Sequence, residues 1–183
     1  MHNLEIKTKI PDRTKILTRI NRIGATYQDK MNQLDYYLRI GENKEKIREI
    51  NKKIVEYIIY RRPEKKGIKD SDYTIKRIFF KQKNDLLKQK HPLCIVNKIR
   101  QLWMYGNTRI HLDSVSGLGD YLELETVLKD ISNNEGLKEF NKIVKLLGIK
   151  TREAEPSSYS DLILNHNKKQ KNLCDIKQYK RRI

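Results

Sequence analysis

Acidic and basic side chains alternate with apolar residues in the segment RIHLDSVSGLGDYLELETVL, which spans residues 109–128. Successive side chains of a strand point to opposite faces, so Arg109 and Asp113 share one face, as do Glu123 and Glu125 further along. Carboxylates are ligands that hard cations such as Mg²⁺ prefer, and arginine binds phosphate oxygens in pairs. This spacing therefore indicates a β-hairpin whose polar face belongs to a metal or phosphate site.

A turn and a histidine complete the predicted hairpin. Gly117 and Gly119 stand between its two halves, where a tight turn needs backbone with positive φ. His111 lies on the same charged face as Arg109, and we interpret it as a residue that orients a neighbour or packs, rather than as a catalytic base. The hairpin is thus the predicted centre of a site whose remaining side chains come from other segments.

Other segments repeat this arrangement of one apolar face and one face with fixed charges. Alternation runs through residues 3–10 and 93–105, and lysine and arginine share a face within 44–50. If the charged faces meet water, the apolar faces form an ordinary core; if helices cover the apolar faces, the charges line an interior. A charged interior is costly unless its charges are paired or a charged ligand completes them. The residues on these charged faces are Glu5, Lys7, Lys46, Arg48, Lys98 and Arg100.

Helical and extended segments alternate along the chain. Apolar residues recur at helical spacing after Pro11 and Asp12, as far as Gly24, and again at 81–90 and 134–147. These three segments are predicted to be helices. The segments between these helices are rich in β-branched and aromatic residues, which favour strands, and many strands in one small domain favour an antiparallel sheet closed into a barrel. Besides the hairpin, we predict strands at 3–10, 25–31, 34–40, 56–63, 73–80 and 93–105, and a charged hairpin region at 41–53.

Composition limits the class of protein. A chain of 183 residues is long enough for one domain with its own core. Its residues are 37% hydrophobic and 34% charged, and no apolar run approaches the ~20 residues of a membrane span, so we expect a soluble, cytoplasmic protein without membrane association. Cys94 and Cys174 lack C-x-x-C spacing, so neither a zinc site nor a disulfide is expected.

The net charge of +17 points to a polyanionic partner. Two partners fit it: a nucleic acid on a broad basic face, or a compact phosphate-rich ligand in a concentrated site. A third interpretation, a compositional bias toward lysine, explains surface lysines but not charges that alternate inside strands. Residues 165–183 are rich in lysine and asparagine, and we interpret them as a mobile basic tail that follows a domain at 1–164.

Several short pieces of the sequence occur in a recognisable order. They are NLEIK at 3–7, KEKIRE at 44–49, YRRP at 60–63, SDY at 71–73, KIR at 98–100, the hairpin segment, and SYSDL at 158–162. In this order they resemble the CYTH family, named for class IV adenylyl cyclase and thiamine triphosphatase, and the hairpin is most similar to the cyclase-like branch. Asn3 stands where the family signature Glu-x-Glu-x-Lys has its first glutamate, so one carboxylate of the metal-binding set is missing.

The resemblance implies an α+β fold, a closed antiparallel eight-stranded β-barrel called a triphosphate tunnel, with helices packed outside. It implies that residues 1–164 form this tunnel domain, which holds a triphosphate together with Mg²⁺ or Mn²⁺. Arg61 takes the place of Arg62 if the strand register shifts by one residue. The implied phosphate-binding residues are Lys7, Lys46, Arg48, Arg62, Lys98, Arg100 and Arg109; the implied metal ligands are Glu5, Asp113, Glu123 and Glu125; the implied catalytic residues are Glu5, Lys7, Asp113 and Arg109.

The resemblance also implies a metal-dependent enzyme with one of two reactions. A cyclase directs the ribose 3′-hydroxyl of ATP to the α-phosphorus and releases pyrophosphate. A triphosphatase directs water to the γ-phosphorus of a nucleotide, thiamine triphosphate or inorganic triphosphate. ATP cyclisation is the first expectation because of the hairpin. The non-enzymatic alternative is a protein that captures a nucleotide or RNA through its tunnel, basic surface and tail. In either case we expect a monomer or a homodimer.

Overall fold

Eight strands and three α-helices make up most of the computed structural model, which describes residues 2–41, 43–61, 69–129 and 131–168. A 3₁₀ turn at Thr151–Glu153 leads to further helical turns at 159–168, which we call the terminal helix. The helices are α1 Arg13–Arg22, α2 Phe80–Gln89 and α3 Asn133–Leu146. The strands are β1 His2–Lys9, β2 Thr26–Arg39, β3 Asn43–Ile50, β4 Ile54–Arg61, β5 Lys69–Ile78, β6 Cys94–Tyr105, β7 Thr108–Val115 and β8 Gly119–Val127.

The strands close into an antiparallel barrel in the order β1-β5-β4-β3-β2-β6-β7-β8. Strand β1 closes it, because it pairs with β8 from Asn3 to Lys9 and with β5 from His2 to Glu5. The predicted fold class, an eight-stranded antiparallel barrel with helices outside, is confirmed. The predicted hairpin is β7 and β8, joined by a turn in which Gly117 and Gly119 have φ of 76° and 92°.

Strand β2 differs from the sequence-based prediction of two separate strands at 25–31 and 34–40. It is continuous, and it pairs with β6 along its length from Thr26 to Tyr37. Asn32 and Gln33, which stand between the two predicted strands, lie inside this ladder; the irregularity in it is a bulge nearer the start of the strand. The sharp turn lies instead between β3 and β4. There Asn51 and Lys52 both have positive φ, as the central residues of a type I′ turn require, and the backbone N–H of Lys53 donates to the carbonyl of Ile50 at 3.0 Å.

The outward-facing apolar side chains of the barrel form a core beneath α1 and α3. Ile20 of α1 and both Phe140 and Ile143 of α3 are completely buried in it. Burying one such side chain contributes roughly 1.5–3 kcal/mol, so the apolar strand faces turn toward the helices and the charged faces turn inward. The barrel residues of this core include Trp103, Ile110, Leu112, Leu122 and Leu124.

Local sequence signals explain where the two packed helices begin. The Asp12 carboxylate accepts a hydrogen bond from the backbone N–H of Lys15 at 2.9 Å, which caps the start of α1. At the start of α3, Ser132 and Glu135 form a reciprocal capping box. These caps satisfy N–H groups that helix geometry leaves without partners, and thereby fix the helices on the outer face of the barrel.

Two predictions from composition can be compared with the described residues. Among the helices in those ranges, none is long and apolar enough to cross a membrane. Cys94 is a buried free thiol, and burial raises its pKa. Cys174, Arg62 and residues 169–183 of the predicted tail lie outside the described residues, whereas residues 165–168 belong to the terminal helix.

Candidate active site

The barrel encloses a cavity of about 370 Å³ lined by charged side chains from both ends of the sequence. The inward face of each strand follows the predicted alternation, which brings together residues that are more than 100 positions apart. Three of the predicted metal ligands, Glu5, Glu123 and Glu125, line the cavity. The predicted phosphate-binding residues that line it are Lys7, Lys46, Arg48, Lys98, Arg100 and Arg109.

Asp35 holds the two cavity-lining cations of β3 in place. It lies opposite Arg48 in the β2–β3 ladder, and Nε and Nη2 of Arg48 donate to its two oxygens at 2.7 and 2.9 Å. Nζ of Lys46 donates to Oδ2 at 2.9 Å. Burial alone would raise the pKa of the Asp35 carboxyl, but Arg48 and Lys46 hold it well below its ordinary value. The carboxylate is therefore ionised and orients both cations in the cavity wall.

Arg100 is held in the same way by two carboxylates from the hairpin. Its Nε and Nη2 donate to Asp113 at 2.7 and 2.6 Å, and Nη2 also donates to Glu123 at 2.7 Å. Asp113 is completely buried, and it also accepts a hydrogen bond from the Tyr159 hydroxyl at 3.0 Å. Burial opposes ionisation, yet Arg100 and Lys98 lower the pKa of Asp113 to about 2. The structure thus places the predicted metal ligand Asp113 behind Arg100, as a residue that orients the guanidinium.

Two further carboxylates of the cavity form a group where β1 meets β8. Glu5 lies opposite Glu125 in the ladder, and Asn3 donates a hydrogen bond to Glu125 through its side-chain amide. Nη1 of Arg109 lies 3.3 Å from Oε2 of Glu125 and 3.5 Å from the hydroxyl of Tyr73 on β5. Asn3, which replaces the first glutamate of the signature, therefore keeps a contact with this acidic group without adding a charge.

These carboxylates fit a divalent cation that phosphate oxygens help to hold. In the part of the chain that the structure describes, no three acidic, histidine or cysteine side chains are gathered closely enough to enclose an ion by themselves. Mg²⁺, however, usually takes only one or two carboxylates and completes its shell with phosphate oxygens and water. Opposed like charges such as Glu5 and Glu125 destabilise a strand pair, and a cation near them would offset that repulsion.

The terminal helix supplies cavity residues that the sequence pattern did not single out as functional. Tyr159, which the sequence favours as a packing residue, is buried and lines the cavity beside Ser158. Its ring lies 4.4 Å from Nζ of Lys7 and 5.0 Å from Nζ of Lys98, and Lys7 also donates to the backbone oxygen of Ser157. The terminal helix therefore covers one end of the cavity and positions two of its lysines.

Several other cavity groups, among them a lysine and a histidine, have pKa values shifted by burial. Burial, with Arg48 nearby, lowers the pKa of Lys46 to about 7, even though Asp35 opposes the shift. Burial and Arg100 lower the pKa of His111 well below its ordinary value, so the imidazole is neutral at neutral pH. The Lys46 amine is therefore only partly protonated at neutral pH, and an anionic ligand would favour its protonated form.

The pKa of Lys46 predicts how binding of a polyphosphate depends on pH. Only the protonated amine attracts phosphate, so the affinity for ATP is expected to fall by up to about tenfold per pH unit as the pH rises above about 7. Titration calorimetry between pH 6.5 and 9 would measure this, in steps on the order of half a unit. The Lys46→Arg variant keeps its charge throughout that range and is the matched control. Equal pH profiles for the two proteins would contradict the assignment.

The strands form a closed antiparallel barrel whose interior carries lysines and arginines held in place by buried carboxylates. The chain belongs to the CYTH domain family, whose family model matches residues 1–159. The predicted family membership is thereby confirmed.

Individual relatives extend over nearly the whole chain. A Methanocaldococcus jannaschii protein named "Putative adenylate cyclase MJ0240" is 28% identical over 177 residues, which are 88% of this chain and 98% of the relative. The PH1012 protein from Pyrococcus horikoshii has a similar structure, with a TM-score of 0.77 at 21% identity over 87% of this chain and 98% of that one. A Hippeastrum protein, described as a "putative adenylyl cyclase" with a dominant triphosphatase activity, has a TM-score of 0.63 at 13% identity, over 90% and 95% of the two chains. The structural likenesses support the same fold.

Proposed function

We propose that this protein is a divalent-metal-dependent enzyme that binds ATP by its triphosphate inside the barrel and converts it to cyclic AMP and pyrophosphate. The observation that carries the proposal is the convergence of six cations from four strands on one cavity. Carboxylates that line the same cavity, together with Asp35 and Asp113 buried behind it, hold these cations in place, and the oxygens of a bound triphosphate would share the same cations.

The cations bind and orient the phosphate chain. Arg48 and Arg100 are each fixed by two hydrogen bonds to a buried aspartate, so they offer phosphate oxygens donors that need little rearrangement. Lys7 and Lys98 lie beside Tyr159 at one end of the cavity and act as point charges. Such preorganised charge stabilises the negative charge that develops on the phosphates during reaction.

Cyclisation requires the ribose 3′-hydroxyl to attack the α-phosphorus while pyrophosphate leaves. In this proposal one or two carboxylates among Glu5, Glu123 and Glu125, together with phosphate oxygens, would hold Mg²⁺ or Mn²⁺, and the ion would supply charge neutralisation at the phosphates. The cations of β3 and β6 hold the two phosphates that leave, and so orient the α-phosphate toward the hydroxyl. The name of the Methanocaldococcus jannaschii relative agrees with this reaction.

Hydrolysis of a triphosphate is the second candidate, because the same cations and carboxylates would serve attack by water. The activity described for the Hippeastrum protein favours this alternative. Incubation of the purified protein with Mg²⁺ or Mn²⁺ and either ATP or tripolyphosphate separates the two. Cyclic AMP with pyrophosphate supports cyclisation, orthophosphate supports hydrolysis, and turnover of neither substrate contradicts both.

The non-enzymatic alternative needs its own measurement. Binding of RNA through the basic surface would weaken steeply with salt and would not depend on the carboxylates of the cavity. Affinity for a single-stranded RNA is therefore compared between the protein and the Glu123→Ala, Glu125→Ala double variant. Salt-dependent binding that both proteins share, without turnover of either triphosphate, would favour a nucleic-acid-binding protein.

A further inference from the structure

Two adjacent phenylalanines are exposed on the outside of the molecule, where β5 leads into α2. Phe79 is 80% exposed and Phe80 is 40% exposed; Nζ of Lys83 lies 5.1 Å from the centre of the Phe80 ring. The backbone N–H of Phe79 donates to the side chain of Gln82 at 2.8 Å, and its carbonyl accepts from the N–H of Lys83 at 3.0 Å. The start of the helix therefore fixes the backbone that carries the more exposed ring, whose flat apolar face is open to a ligand.

Lysines from three neighbouring segments lie near these rings. The β3–β4 turn adjoins the end of β5, because Val55, just after the turn, pairs with Ile78. The lysines of the turn, of the last part of β5 and of the first turn of α2 are all exposed: Lys52, Lys53, Lys76 and Lys81. We call these four lysines, with Phe79 and Phe80, the aromatic–lysine patch.

Acidic side chains offset little of this charge. Glu49 of β3 pairs with Lys83 at 2.6 Å, and Glu56 of β4 lines the cavity, opposite Arg77 in the ladder. The acid of α2 is Asp85, one turn beyond Lys81, and the β3–β4 turn carries none. The aromatic–lysine patch thus keeps an excess of positive charge beside its rings, which suits a polyanion that also has a flat apolar part.

A single-stranded nucleic acid has both features. Its unstacked bases can stack on an aromatic side chain while lysines contact the phosphates on either side of them, and the stacking of one base typically changes affinity by about tenfold or more. A bilayer surface fits less well. Two phenyl rings, one of them partly covered, contribute less than a single myristoyl chain, whose membrane binding is itself only marginal.

We propose that the aromatic–lysine patch binds a single-stranded nucleic acid, with a base stacked on the ring of Phe79 and neighbouring phosphates on the four lysines. The patch lies outside the barrel cavity. It would bind such a strand whether the cavity cyclises ATP or hydrolyses a triphosphate.

Stacking is tested by the affinity for labelled uridine and thymidine strands of about twelve nucleotides with 5′-hydroxyl ends, measured by fluorescence anisotropy in EDTA. Phe79→Ala should bind about tenfold more weakly, whereas Phe79→Tyr keeps an aromatic ring and should bind as the unaltered protein does. Leu93→Ala removes an exposed apolar side chain at the other end of the barrel and is the matched control. If Phe79→Ala bound as tightly as Leu93→Ala, no base would stack on this ring.

The lysines are tested by the dependence of the same affinity on salt. One variant replaces three lysines of the patch by glutamine: Lys52, Lys53 and Lys81. The slope of log affinity against log salt concentration should become shallower by about 2, because each phosphate contact of a single strand contributes about 0.7. The control variant loses the same charge from the outer face of α3: Lys138, Lys142 and Lys145. Equal slopes for the two variants would mean that the strand follows overall charge and not the patch.

Turnover of ATP separates the patch from the proposed function. Phe79→Ala should turn over ATP as the unaltered protein does, and a loss of turnover would assign the ring to the substrate site instead. If neither strand binds, the aromatic–lysine patch is not a nucleic-acid site, while the enzyme in the barrel stays supported. Binding to phosphatidylserine vesicles that Phe79→Ala abolishes, without binding of a strand, would make the patch a membrane contact. Thermal unfolding of each variant shows whether a loss of affinity comes from a loss of fold.

Discussion

Replacing Glu123 by glutamine is expected to lower metal-dependent turnover of ATP by about 100-fold, because the neutral amide is a poor ligand for a divalent cation. The native carboxyl is ionised: burial would raise its pKa, but Arg100 and other nearby cations hold it well below its ordinary value. Glutamine has the same length and keeps an oxygen that can accept from Arg100, as Glu123 does at 2.7 Å. The fold should therefore survive the substitution.

Three measurements together test this expectation: turnover with Mg²⁺ or Mn²⁺, affinity for ATP in EDTA, and thermal unfolding. The loss should appear in turnover with metal, while the unfolding temperature changes little and the metal-free affinity for ATP does not fall, because the substitution removes a negative charge that Arg100 contacts. Glu153→Gln removes an exposed carboxylate that pairs with Lys150 at the surface, and it serves as the matched control. Full turnover by Glu123→Gln would show that this carboxylate is not part of the metal-binding wall.

The sequence was sufficient to predict which side chains of a strand share a face, and the resemblance to the CYTH family then decided which face turns inward. Alternation with a period of two places Lys98 and Arg100 on one face of the strand and Ile99 on the other, whichever face turns toward the interior of the barrel. The apolar faces match the apolar stripes of α1 and α3, which decides that the charges lie inside. For that reason the six cations that line the cavity could all be named from the sequence and from the resemblance it carries.

The partner of each buried charge could not be predicted in this way. Alternation assigns a face, but cross-strand partners depend on strand order and register, which are set by the whole barrel. Asp113 thus seemed equivalent to Glu123, although the structure buries Asp113 beneath Arg100. Tyr159, the partner of Asp113, was the hardest to predict, because it lies in the terminal helix and the spacing of residues in a helix does not indicate which of them reach the barrel cavity. The predicted break between the strands at 25–31 and 34–40 was wrong for a related reason, since pairing with β6 holds Asn32 and Gln33 in one continuous strand.

Asp35 shows why these pairings matter, and its replacement by asparagine is expected to lower the free energy of unfolding by about 3–5 kcal/mol. Without its charge, Lys46 and Arg48 remain buried close to each other and to Lys98, with no carboxylate between them. The dependence of the free energy of unfolding on pH should also change at acid pH. The depressed pKa of Asp35 contributes stability above the unfolded value of 3.8 that is lost as the pH falls, so the variant should be less sensitive to acid in that range.

A polyphosphate should restore much of the free energy of unfolding that Asp35→Asn removes, because phosphate oxygens bring negative charge to Lys46 and Arg48. Urea unfolding with and without tripolyphosphate measures this, and the ligand should stabilise the variant more than it stabilises the unaltered protein. Asp29→Asn, which alters an exposed carboxylate on the same strand, should leave both quantities unchanged. If tripolyphosphate stabilised all three proteins equally, Lys46 and Arg48 would not be phosphate-binding residues. A greater effect on Asp35→Asn means that the buried aspartate and the substrate compete for the same cations, so the stability of the empty barrel limits how tightly it binds a triphosphate.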